Sequence, residues 1–163
     1  MIIKHLVNII LLPVTVVVIF PFSITFLFGY DLFWGLDSIL KLLPLVLGFF
    51  FIFLGLILLI LSISLFISEG NGTIAPWNPT SNLITIKIYN YVRNPMILGV
   101  FLILIAESLL IGSFLLTIYT FLFILGNLFY IPMVEEQKLV KRFGKEYQMY
   151  LEKVPRWIPR CKE

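Results

Sequence analysis

Three long apolar runs constrain this chain more than any other feature of it. Residues 6–28 and 42–68 carry no charged side chain, and residues 95–134 carry one, Glu107. At about 1.5 Å of rise per helical residue, about 20 apolar residues cross a hydrocarbon core. The third run is too long for one crossing, and Gly112-Ser113 offers a tight turn that divides it into two helices. The expected fold is therefore all-α, a polytopic membrane helical bundle in a single domain of 163 residues. Its spans are placed at 6–28, 44–67, 95–111 and 114–134, with cytoplasmic parts at 68–94 and 135–163. The alternative is that one of the four is a re-entrant or partly sunken helix.

Composition supports lipid as the solvent. Apolar residues make up 60% of the chain and charged residues 13%, with 16 Phe. A soluble domain of this size has too little interior to hide that surface. The first run is long for a signal-peptide core and lacks a small-residue cleavage site, so it is read as retained. Pro13 and Pro21 are its candidate kinks. The single cysteine, Cys161, excludes an internal disulfide, and its position third from the end does not fit a four-residue prenylation box.

Four spans put both termini on one side. Lys4, Lys87, Arg93 and the eight basic residues after position 134 fall there, and Lys41 falls on the other, so eleven of the twelve Lys and Arg share a face. By the positive-inside rule that face is cytoplasmic. Asn71-Gly72-Thr73 matches a glycosylation acceptor, but this topology puts it on the wrong side of the membrane for glycosylation.

The polar parts form two blocks. The loop before residue 95 is rich in turn formers, and at roughly 26 residues it is longer than a helix connection requires. Leu83, Ile84, Ile86, Ile88, Tyr89, Tyr91 and Val92 argue that it packs onto something. In the tail, Leu139, Phe143, Tyr147, Tyr150 and Val154 recur at helical spacing, with Lys138, Lys141, Arg142 and Lys145 around them. Gly144 interrupts that stripe and marks a bend. Basic and aromatic residues together suit an anionic interface.

Several familiar chemistries are missing. There is no phosphate-binding GxxxxGK[ST] segment, and the one histidine, His5, stands in the N-terminal tail. A His/Cys zinc site and a His-based triad are excluded on that count. The remaining candidates each carry a plain alternative. Glu135-Glu136 is either a solvated helix start or a ligand for hydroxyls or a cation. Arg93 is either a surface anchor or a holder of a carboxylate or phosphate. Tyr89 and Tyr91 read first as interface anchors. Glu107 is either an intramembrane functional charge or a side chain reaching the far interface from five residues before Gly112.

Order and spacing add more than the pieces. Arg93-Asn94-Pro95 with Gly99, Glu135-Glu136 with Leu139, Phe143-Gly144 with Tyr147 and Tyr150, and Val154-Pro155-Arg156 follow one another across an apolar hairpin. This resembles the integral-membrane methyltransferases that include isoprenylcysteine carboxyl methyltransferase and the phospholipid N-methyltransferases. Upstream, Gly70-x-Gly72-Thr73-x-Ala75-Pro76-Trp77 looks like their prokaryotic members. The resemblance covers about residues 70 to 160.

It implies S-adenosylmethionine as the methyl donor, in a cytoplasm-facing pocket above the hairpin. Carried over by position, the implied cofactor residues are Ser81, Asn82, Leu83, Ile84 and Tyr89, then Asn94, Pro95, Met96 and Ile97, then Glu135. Arg93 and Arg156 are candidates for orienting the acceptor. The implied partners are the membrane and a lipophilic small-molecule or lipid acceptor, with no metal and no nucleic acid. Three positions depart from the pattern: Asn94 replaces a motif His, Ile97 replaces a motif Tyr, and Ile131 stands where prenylcysteine enzymes carry an Arg.

Methyl transfer from a sulfonium is an in-line displacement that needs no metal. The protein contributes by holding donor and acceptor at near-attack distance, excluding water and placing acidic or π-bearing groups near the cation. Two other readings stay open. One is an NADPH-dependent enzyme like the membrane sterol reductases, against which Glu135-Glu136-x-x-Leu139 and Arg142-Phe143-Gly144-x-x-Tyr147 count. The other is a non-catalytic membrane protein on the same scaffold.

Overall fold

A computed structural model describes residues 13–36, 38–69 and 82–158. Every regular element among them is helical. A π-helical turn, Thr15–Ile19, runs into α1, Phe20–Phe28. Short 3-10 turns lead to α2, Leu42–Glu69. After the loop come α3, Pro95–Ile111, and α4, Phe114–Tyr130. A second π turn, Ile131–Glu135, carries α4 without a break into α5, Glu136–Phe143. α6, Lys145–Lys153, follows a bend at Gly144. Ser81, the Asn71-Gly72-Thr73 acceptor and Cys161 lie outside the described residues, as do residues 6–12 of the expected 6–28 span.

Two stretches are long and apolar enough to cross a membrane, Ile39–Glu69 and Phe114–Phe143. Thr15–Phe28 and Pro95–Ile111 are shorter apolar helices. Less than a quarter of the most apolar window of either long stretch is buried. Phe53, Ile60, Phe121 and Phe129 are each more than 60% exposed, which in water would be costly and in lipid is not.

α3 is the centre. It packs most extensively on α2 and also meets α4 and the π turn Thr15–Ile19. Membrane helices associate through close packing, because lipid removes the hydrophobic drive. Gly55 and Gly99 supply it here: a Cβ on either would stand 2.8 Å from the other's carbonyl oxygen. Around them Leu59, Met96, Val100, Ile103 and Leu104 form the main core.

The α3–α4 turn is where the sequence places it. Gly112 adopts φ 65°, ψ 47°, the left-handed cap conformation that favours glycine, and its N–H bonds to the Ser108 carbonyl at 3.2 Å. Its own carbonyl accepts from the Asp31 N–H at 3.2 Å, and Trp34 Nε1 donates to the Ser108 carbonyl at 3.1 Å. The loop after α1 is thereby pinned over the hairpin tip. Inside the hairpin the Ser108 and Thr120 hydroxyls pair at 2.9 Å, so that neither buried group is orphaned.

Candidate functional site

The opposite end of the hairpin gathers the polar residues. Pro95 begins α3, where its missing N–H costs nothing and its fixed φ suits the first turn. Asn94 is the residue before it, and its side chain makes no capping bond, although Asn is a favoured cap. Its Nδ2 is buried with no hydrogen-bond partner among the described residues, and so is Nε of Arg93. Buried donors of this kind are rarely left unpaired without a reason.

The second π turn sets the other wall. Pro132 has no N–H to donate one turn back, so the ladder slips, and the Glu136 N–H bonds to the Ile131 carbonyl five residues earlier. The slip aims two neighbouring carboxylates differently. Glu135 lines a cavity. Glu136 is buried and accepts from two guanidinium groups. Arg93 Nη1 donates to its Oε1 at 2.9 Å, Arg156 Nε donates to Oε1 at 2.8 Å, and Arg156 Nη2 donates to Oε2 at 2.7 Å. The bond to Glu136 also raises the already high pKa of Arg156. When both carboxylates are ionised, Arg93, Arg156, Glu135 and Glu136 sum to zero charge.

The cavity encloses about 200 Å³. Whole small-molecule sites usually occupy about 300–1,000 Å³, so these walls account for part of such a site. Stretches far apart in the chain meet around it. The loop before α3 contributes Asn82, Leu83, Ile84, Tyr89 and Arg93. The start of α3 contributes Asn94, Met96 and Ile97, and the end of the long helix contributes Glu135. Of the ten cofactor positions named from sequence, eight therefore line one cavity. Pro95 is fully buried and is not among the lining residues, and Ser81 lies outside the described residues. Of the two arginines, Arg93 lines the cavity and Arg156 does not.

The tail supplies a wall that sequence treated as an amphipathic stripe. Tyr147 and Tyr150 line the cavity together with Leu139 and Phe143. Tyr150 OH donates to the Tyr89 carbonyl at 2.6 Å, joining tail to loop. Burial pushes the phenol pKa values of Tyr89, Tyr147 and Tyr150 up, so all three stay neutral at ordinary pH. Phe66 of α2 completes the aromatic lining, edge-on to Tyr89 at 5.9 Å. No sequence signal marks Phe66, because it looks like any other Phe in an apolar run. Glu107 sits elsewhere, towards the far end of α3, with Oε2 buried and unpaired among the described residues.

No group of three or more His, Cys, Asp or Glu able to hold a metal occurs among the described residues. What the site offers is a neutral aromatic lining, one cavity-facing carboxylate, the Arg93 and Arg142 side chains, and two buried N–H donors unpaired among the described residues. That set suits an organic ligand carrying a cation, hydroxyls and a carboxylate.

The protein-S-isoprenylcysteine O-methyltransferase of Schizosaccharomyces pombe is 38% identical over 78 residues, 47% of this chain. The chain spans about a third of that relative's length, 33%. The model of the phospholipid methyltransferase family matches residues 43–146, from the start of α2 into α6 and across most of the cavity walls. With the larger part of its length inside that match, the chain belongs to the phospholipid methyltransferase family.

Proposed function

We propose that this protein transfers a methyl group from S-adenosylmethionine to a lipophilic or lipid acceptor at the cytoplasmic face of a membrane. The observation that carries the reading is the convergence of loop, α3 start and helix end on one cavity whose polar groups match the donor. Arg93 Nε and Asn94 Nδ2 fit the donor's carboxylate, since both are buried and lack a partner among the described residues. Glu135 fits its ribose hydroxyls. Tyr89, Tyr147 and Tyr150 present neutral rings, which attract a cation without competing for it as a base. When bound, the donor supplies a methyl group on a positively charged sulfur. The chain's own part is to hold it, keep water out and leave an approach from the lipid side.

Family membership and the two long apolar stretches support a membrane protein of four spans, with the shorter helices Thr15–Phe28 and Pro95–Ile111 as the other two. The grouping of basic residues supports cytoplasmic termini. The acceptor is left open by one particular. Ile131, where an Arg is expected in prenylcysteine enzymes, is fully buried and away from the cavity lining. That favours an acceptor whose recognition does not need a cation at this position.

Titration of the purified protein with adenosylmethionine, its demethylated product and NADPH tests the reading. Binding of the first two, lost in Glu135→Gln, is expected. Binding of NADPH alone would support a reductase, and binding of none would leave the scaffold without catalysis. Membranes holding the protein, given methyl-labelled donor, should then yield a labelled lipid that identifies the acceptor.

A further inference from the structure

The second carboxylate of the Glu pair has no place in the lining of the cavity, yet it is the more heavily engaged. Glu136 has a side chain only 8% exposed and takes charge-assisted hydrogen bonds from Arg93, in the loop before α3, and Arg156, in the tail after α6. The same two segments are joined twice more. The Arg93 N–H donates to the Pro155 carbonyl at 3.0 Å, and Tyr150 OH donates to the Tyr89 carbonyl. Beyond them Trp157 lies over Phe101 of α3, with ring centroids 5.3 Å apart.

These ties secure a segment that has its own hinge. Gly144 takes φ 57°, ψ −129°, a region essentially confined to glycine, and a Cβ there would meet none of the described residues within 4 Å. The bend is therefore set by backbone conformation and not by packing around it. α6 leads off from that point and carries Tyr147 and Tyr150, which line the cavity together with the loop residues Ile84 and Tyr89.

We propose that Glu136 is a positioning residue: through Arg93 and Arg156 it latches the tail after Gly144 against the loop before α3, and so fixes the tyrosine wall of the donor cavity. The assignment rests on the donor reading above. Glu136 touches no donor atom in this scheme; it acts through the two arginines. One carboxylate between two guanidinium groups cannot be replaced by an amide without leaving two cations, Arg93 largely buried and Arg156 partly exposed, facing each other uncompensated.

Limited trypsin digestion of the full-length protein in nanodiscs reads the latch, because Lys145 and Lys153 are exposed residues of α6. Titration with adenosylmethionine reads the cavity. In Glu136→Gln, cleavage of the tail should quicken and Kd should rise, each by about tenfold or more. Glu136→Asp should recover part of both. Saturating adenosylmethionine should slow cleavage again in Glu136→Gln, since a ligand that needs the closed wall must favour it. Glu135→Gln should raise Kd while leaving cleavage as in the parent protein. If Glu136→Gln does not fold, Arg156→Lys, at the more exposed partner, should show the same pair of changes to a smaller degree. Unchanged cleavage in these variants would overturn the proposal. So would a raised Kd without faster cleavage, which would make Glu136 a ligand contact. If the parent protein binds no adenosylmethionine, the donor reading fails, and the cleavage rates still decide whether the latch exists.

Discussion

Replacing Gly99 by Ala should destabilise the protein, and replacing Gly126 by Ala should not. A Cβ on Gly99 would stand 2.8 Å from the Gly55 carbonyl oxygen and 3.2 Å from both Leu58 Cβ and Leu59 Cγ. Ordinary contact begins near 3.4 Å, so α2 and α3 must part by about 0.6 Å (3.4 − 2.8). The blocking atom is a backbone carbonyl that cannot rotate aside. The cost thus lies in the upper part of the usual overpacking range, about 2–3 kcal/mol. Alanine returns about 1 kcal/mol of helix propensity, leaving a net loss of about 1–2 kcal/mol. Gly126, on an exposed stretch of α4, has nothing within 4 Å of a built Cβ. There the propensity gain stands alone, about 0.5–1 kcal/mol in favour of the variant. Denaturant titration of both variants in one detergent, followed by circular dichroism, measures the pair. A second readout links packing to the site: Met96 and Ile97 stand within a turn of Gly99, and Phe66 stands on α2, and all three line the cavity. Adenosylmethionine affinity should therefore fall in G99A and hold in G126A. If both variants shift stability in the same direction, the close-approach argument is wrong.

Gly112→Ala combines a disfavoured φ of 65° with a collision against the Asp31 carbonyl, and should cost about 2–4 kcal/mol while changing the fluorescence of Trp34. Tyr150→Phe removes the buried bond to the Tyr89 carbonyl and leaves that oxygen unpaired; a loss of about 1–3 kcal/mol is expected by thermal denaturation. Alkaline pH should destabilise the fold through the tyrosines. Tyr89, Tyr147 and Tyr150 have folded-state pKa values raised by burial above the ordinary 10.0. Above pH 10 the folded state then binds more protons than the unfolded one, so stability falls as pH rises from there. Tyr147→Phe should reduce the slope of that fall, and an unchanged slope would remove Tyr147 from the account.

The hairpin was legible in the sequence because its determinants are local. Pro95, Gly112 and Ser113 act on their own backbone, so that α3 begins and ends, and α4 begins, where those residues place them. Most of the cavity lining was reachable too, since the family resemblance carries Tyr89, Asn94 and Glu135 over by position. The resemblance singles out Glu135, but the residues themselves leave the division of labour within those motifs ambiguous. Glu135 and Glu136 are chemically identical neighbours, and nothing local says which faces a ligand and which holds arginines. Arg156 was a candidate for the acceptor, yet it is tied to Glu136 and lies outside the cavity lining. Tyr147 and Tyr150 read as an amphipathic stripe, and Phe66 as one lipid-facing ring among many.

The sequence by itself determined the solvent, the helices and the position of the turn between α3 and α4, because hydropathy and backbone preference are carried by residues and their near neighbours. Tertiary structure alone decided the direction of each carboxylate and the closing of the tail on the loop. Both depend on contacts between residues far apart in the chain, with 43 positions between Arg93 and Glu136 and 61 between Tyr89 and Tyr150. They also depend on a one-residue slip at Pro132, whose consequence is visible only once the groups it re-aims have partners to meet.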